Sequence, residues 1–278
     1  MDIFEFCSLT FLGSLTAGFL GALTGLGGGV VIVPLLTLAF GVDIRYAIGA
    51  SLVSVIATSS GAAAAYVKEG FSNIRLGMFL EMATTFGALL GAAVAGMIST
   101  QFIAVIFGLV LLYSAFLSVR GHSETTGEDT PDFLSDSLHL DGTYPGRRGL
   151  VSYHVQAIPT GFSLMFLAGT LSGLLGIGSG AVKVLAMDKA MRVPFKVSTT
   201  TSNFMIGVTA AASAGVYLNR GYIDPGVAMP VMLGVVLGSL LGSKVLVSSK
   251  TRLLRIVFAV VILFLGLEMI YSGIAGRL

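Results

Sequence analysis

Two glycine clusters interrupt apolar stretches of this chain, Gly25-Leu26-Gly27-Gly28-Gly29 and Gly176-Ile177-Gly178-Ser179-Gly180. Each reads as a break between two helices. A helix that restarts after such a turn presents backbone N–H groups and the positive end of its dipole, which together favour a small anion. The second cluster adds the hydroxyl of Ser179. A single glycine is explained by close helix packing alone. Recurrence of the whole five-residue break points instead to a binding site.

Lys183 stands three residues after Gly180, where the first half carries Ile32. A lysine inside an apolar segment is costly in a membrane and by default marks a functional site. It could neutralise a bound anion, or it could snorkel to the interface beside Lys189 and Arg192. Thr199-Thr200-Thr201-Ser202-Asn203 begins the next apolar segment, and Ser51 holds the position equivalent to Ser202. Such neutral donors can complete the shell of an oxyanion, although hydroxyls also join helices to one another. Ser51, Ser202 and Asn203 are the candidates taken forward. Glu81 and Glu268 are read as the acids within apolar spans. Either could carry a proton that accompanies anion movement. Glu81 could equally be an interfacial partner of Arg75.

These residues need a lipid-embedded frame. Of 278 residues, 55% are hydrophobic and 11% charged, against roughly 25% charged in a soluble domain. Mean hydropathy is +0.93, and several apolar runs approach the roughly 20 residues that a helix needs to cross a bilayer. The chain is expected to be an all-α polytopic membrane protein. With 37 glycines, close helix packing and broken helices are expected as well.

The chain also repeats itself. Shifting it by the distance from Gly25 to Gly176 places Gly18 on Gly169, Ser51 on Ser202, Thr58 on Thr209, Tyr66 on Tyr217 and Gly87 on Gly238. Residues 1–120 and 156–278 are therefore read as two homologous membrane halves, joined by a polar, mobile linker over 121–155. Four plain crossings per half would divide the loop lysines and arginines evenly between the two faces. A re-entrant or glycine-broken first helix pair plus three spanning helices leaves only Arg45, Arg220 and Arg277 on one face. Because cytoplasmic loops are enriched in Lys and Arg, the second arrangement is expected: inverted repeats, both termini outside, linker inside.

The stretch Gly25-Leu-Gly-Gly-Gly-Val-Val-Ile-Val-Pro34-Leu-Leu, followed by Ala47-Ile-Gly-Ala-Ser51-Leu, resembles the TauE/SafE sulfite exporter family. The second copy departs from the motif at Ser179, in place of a glycine, and at Leu185, in place of the proline. The resemblance covers nearly the whole chain except the linker. It implies an integral protein of the cytoplasmic membrane that moves sulfite, sulfoacetate or another small sulfur-containing anion. The glycine turns and Lys183 suggest an anion independently of it. An anion channel and a non-transporting membrane scaffold remain as alternatives.

Several classes are excluded or disfavoured. No nucleophile with a base, and no metal set, is visible at membrane depth, so an enzyme is not expected. The net charge of +2 is too small and dispersed for a nucleic-acid partner. His122, His139 and His154 are scattered around the linker without cysteine partners, and Cys7 is the single cysteine, so neither a metal nor a disulfide is expected. No cofactor is called for, and Gly25 to Gly29 lacks the Lys-Ser/Thr of a phosphate-binding loop. Beyond the anion and the bilayer, the sequence leaves self-association open. The first helix lacks a basic start and a cleavage site, so it is read as retained.

Overall fold

Lipid rather than water explains the outer surface of this chain. In the computed structural model, which describes residues 2–24, 28–68, 72–119, 133–146, 149–248 and 251–277, Met78, Met82 and Phe86 form a stripe at helical spacing that is 62%, 51% and 68% exposed. A soluble protein would bury such a stripe; a bilayer solvates it. Lys183, Glu81 and Thr209 are turned inward instead.

The elements in order are α1 (Ile3–Thr24), α2 (Gly29–Pro34), α3 (Ile44–Lys68), α4 (Ile74–Ala95) and α5 (Thr100–Val119), then α6 (Phe133–Leu138), β1 (Gly142–Gly146) and β2 (Gly149–Tyr153). After them come α7 (Ile158–Leu175), α8 (Gly180–Leu185), α9 (Phe195–Asn219), α10 (Pro225–Ser248) and α11 (Thr251–Ile274). The short helices α2 and α8 each run on into a π-helical turn, Leu35–Ala39 and Ala186–Ala190. Among the described residues α1, α4, α7 and α10 are long and apolar enough to span a membrane. The segment Gly29–Ala39 is not.

The sequence repeat reappears in the element boundaries. Gly29 and Gly180 open the short helices, Ile44 and Phe195 open the helices after them, and Thr100 and Thr251 open the last of each half. Packing then exchanges the halves: α1 lies on α10, α7 on α4, α3 on α9 and α5 on α11. Glycines permit the closest crossings. A Cβ on Gly91 would stand 2.0 Å from the Thr170 carbonyl oxygen, and in the related pair a Cβ on Gly238 would stand 2.0 Å from that of Leu15. Only glycine lets two backbones approach so closely.

Contacts along these pairs have an order. On α3 and α9, the Tyr46 ring meets Tyr222, just beyond α9, at 5.6 Å between centroids, while a Cβ on Gly207 would stand 2.5 Å from Ser59 Oγ. The two helices therefore meet in opposite sequence order. On α4 and α9 the order is the same, from Gly77 beside Thr201 to Ala92, whose carbonyl accepts from Arg220 at 3.0 Å, just past the end of α9.

Over residues 133–146 and 149–155 the linker is folded, where a mobile segment is expected from the sequence. Within it, β1 and β2 form an antiparallel hairpin in which Gly142 pairs with Tyr153 and Gly146 with Gly149. Leu140, Tyr153 and Val155 are buried in a cluster with Leu76, Leu80, Met187 and Met191. Asn73 fastens it: its Oδ1 caps α4 by accepting from Leu76 N–H at 3.0 Å, and its Nδ2 donates to the Leu140 carbonyl and to the Tyr153 hydroxyl, both at 2.8 Å. Asp141 closes the base of the hairpin. It accepts from Val155 N–H at 2.8 Å and from Ser135, and pairs with His154 Nδ1 at 2.6 Å. Burial alone would raise the Asp141 carboxyl, but the hydrogen bonds and His154 outweigh it and hold the carboxyl below 3.8. Burial pushes the Tyr153 phenol up to about 12, against the Asn73 hydrogen bond. Polar composition hid a few well-placed apolar side chains and this dense set of caps.

Candidate functional site: a buried lysine and glutamate beside the second helix break

The second break is visible residue by residue. Gly176 ends α7 at φ 69°, Gly178 follows at φ 70° and Ser179 at φ 45°, after which α8 begins. Left-handed backbone suits glycine and strains a serine. Gly28, the residue related to Ser179, takes an ordinary helical φ of −67°. Gly25 and Gly27 lie outside the described residues.

The two breaks meet. Ser51 Oγ on α3 donates to the Gly176 carbonyl at 2.8 Å. A Cβ on Gly29 would stand 2.6 Å from that same Oγ and 3.2 Å from the Gly176 oxygen. Ser202 Oγ on α9 donates to the Gly180 carbonyl at 3.3 Å. Gly178 and Gly180 both rest against Ile206. Ser51, Ser202 and the described glycines of both breaks are therefore near neighbours.

Lys183 is completely buried. Its position on α8 turns it toward α9 and α4 rather than to an interface, so it does not snorkel. Nζ donates to Thr209 Oγ1 at 2.5 Å and lies 3.8 Å from Glu81 Oε2. Thr209 Oγ1 in turn donates a hydrogen bond to Glu81 Oε1 at 2.6 Å or to the Met205 carbonyl at 2.9 Å. Thr85 Oγ1 also donates to Glu81 Oε1, at 3.2 Å. Glu81 is thus not Arg75's partner; the Arg75 guanidinium instead donates to the His139 carbonyl at 3.2 Å.

Ser202, Ile206, Thr209 and Ser213 recur at helical spacing and give α9 its inward polar face. Asn203 falls one residue off that face. It is half-buried. Glu268 is half-buried on α11, which packs on α5, and nothing among the described residues joins it to Lys183. Sequence reasoning missed Thr209 as a site residue, although its match with Thr58 and its place one face-repeat after Ser202 marked it. It also missed Asp188, a third acid within an apolar segment, which is 4% exposed in the π-helical turn after α8 and lies 3.3 Å from Lys189 Nζ.

The charges occupy only one of two related places. The repeat equivalents of Lys183 and Glu81 are Ile32 and Met232, while Thr209 keeps its counterpart in Thr58. Two hydroxyls flanking the second break, Ser172 Oγ and Ser179 Oγ, are buried without a hydrogen-bond partner among the described residues. Unspent donors and a sealed ammonium make this the place where the fold could hold a negatively charged guest.

Greasy outer faces around an interior charge pair define a polytopic helical membrane protein with a buried polar site. The sequence signature described as sulfite exporter TauE/SafE matches residues 10–269, and the chain belongs to that family. It is 29% identical to the probable membrane transporter protein YunE of Bacillus subtilis (strain 168), over 97% of this chain and 99% of the relative. It is 26% identical to a probable membrane transporter protein of Xylella fastidiosa (strain 9a5c), over 93% of each. It is also 26% identical to the probable membrane transporter protein MJ0441 of Methanocaldococcus jannaschii, over 91% of each. No solved structure shows a significant match. The chain accordingly stands among membrane transporters rather than enzymes.

Proposed function

We propose that this chain is a secondary transporter of the cytoplasmic membrane that carries a small sulfur-containing anion, such as sulfite, sulfoacetate, thiosulfate or another organosulfonate. The observation that carries the reading is Lys183. An ammonium has three N–H donors, and among the described residues only Thr209 accepts one within hydrogen-bond distance. The remaining donors, with the hydroxyls of Ser172 and Ser179 beside the second break, suit the oxygens of a sulfite or sulfonate. The charge and the donors support an anion; the sulfur rests on the family.

Alternating access between inverted halves fits the same geometry. The opposite contact order on α3 and α9, and the shared order on α4 and α9, are what inversion of one half relative to the other produces. Arg45 donates to the Ile98 carbonyl at 2.8 Å and Arg220 to Ala92 and Ala93 at 3.0 Å, so both lie at the C-terminal end of α4. Arg75 and the linker lie at its other end. That separation supports termini outside and linker inside, with the touching breaks as the pivot of a rocking motion. In a Cys7→Ser background, a cysteine at Asp2 then reacts from outside and one at Asp129 only from inside.

Proteoliposomes test the activity. Saturable uptake of labelled sulfite or sulfoacetate, accelerated by the same anion inside and lost in Lys183→Met, is the expected result. Non-saturable flux favours a channel, and no flux with any sulfur anion contradicts the reading.

A further inference from the structure

Lys183 does not wait alone for an anion. Glu81 Oε2, 3.8 Å from Nζ, is buried and has no hydrogen-bond partner among the described residues. Its other oxygen is already held by Thr209 and Thr85. The carboxylate therefore sits where an anion on Lys183 would sit, with one oxygen uncommitted. Among the described residues no other charged group is paired with it. On α4 its neighbours are Thr84 and Thr85, α7 carries no titratable residue, α9 offers Thr209 at this level, and Asp188 is paired with Lys189.

We propose that Glu81 is a built-in stand-in for the transported anion, and that the anion takes its place opposite Lys183 only as Glu81 takes up a proton. This rests on the anion-transport reading and adds the coupling ion. Before binding, one ammonium and one carboxylate cancel. A monoanion entering beside an ionised Glu81 would leave the buried site with a net negative charge and two acceptor-only groups side by side, which a low-dielectric interior penalises heavily. One proton from solution on Oε2 restores neutrality and converts Glu81 from an acceptor into a donor toward the anion. Thr209 keeps Glu81 Oε1 in place during the exchange, while Lys183 stays charged throughout. The net step is one anion and one proton taken up together.

Calorimetric titration of the purified full chain with methanesulfonate and with ethanesulfonate, monoanions neither of which takes up a proton near neutrality, tests this. Heats in two buffers of different ionisation enthalpy give the protons absorbed. The proposal expects about one proton per anion, and affinity that weakens about tenfold per pH unit where Glu81 is ionised. Glu81→Gln should bind with no proton uptake and without pH dependence. If that variant does not fold, the wild-type proton number decides alone. Wild-type binding without proton uptake overturns the coupling and leaves the anion reading standing. Binding of neither anion to wild type or Glu81→Gln overturns the anion reading itself, and the coupling with it.

Discussion

Glu81 and Lys183 come from opposite halves of the repeat and lie buried 3.8 Å apart, with Thr209 bridging them. Removing either partner leaves the other charge buried and uncompensated. Glu81→Met or Lys183→Met alone should cost about 3–5 kcal/mol. Replacing both with methionine should cost much less than the two single changes together. Unfolding of the four proteins in detergent measures the cycle, and additive losses would show that the pair does not interact.

Glycine contacts predict a graded response along the bundle. Gly87→Ala and Gly238→Ala would each push a methyl into a facing backbone carbonyl, that of Phe166 and that of Leu15, at about 1–3 kcal/mol each by analogy with overpacked cores. Gly215, also helical, has open space where its Cβ would go, so Gly215→Ala should not destabilise. Melting temperatures of the three variants, with similar shifts for the two repeat-related positions, check the packing and its symmetry together.

The linker fold should depend on pH through Asp141. Its carboxyl titrates lower in the folded hairpin than in an unfolded chain, so its contribution is complete above the unfolded value and is lost as pH falls through the folded one. The stability gap between wild type and Asp141→Asn should shrink as pH falls below about 4. A gap that instead widens in acid would show that the carboxylate is not what the hairpin retains.

Much of this was legible in residue types. Apolar runs, the glycine breaks and the fixed repeat offset are one-dimensional patterns, and the element boundaries follow them closely, as at Gly29 and Gly180. Lys183 announced itself because a charge in an apolar run has few explanations. Its partner did not. Glu81 lies beside Arg75 in sequence, and only the packing of α4 against α9 turns it toward Lys183. Asn203 and Ser202 look equivalent as neighbours, yet a helix separates them by about 100° and leaves one off the inward face. The hairpin was hidden because Asn73 and Asp141 hold it by contacts between segments far apart in sequence.

The central claim is that an anion is seated on Lys183. Thermal stabilisation of the purified protein by sulfite, sulfate, thiosulfate, sulfoacetate and taurine, with Lys183→Met/Glu81→Met alongside, tests it most directly, because a ligand of the folded state raises apparent stability by mass action. The account predicts a rise in melting temperature with at least one sulfur anion in wild type and none in the double variant. An equal rise in both proteins, or none in wild type with any of the five, would contradict it.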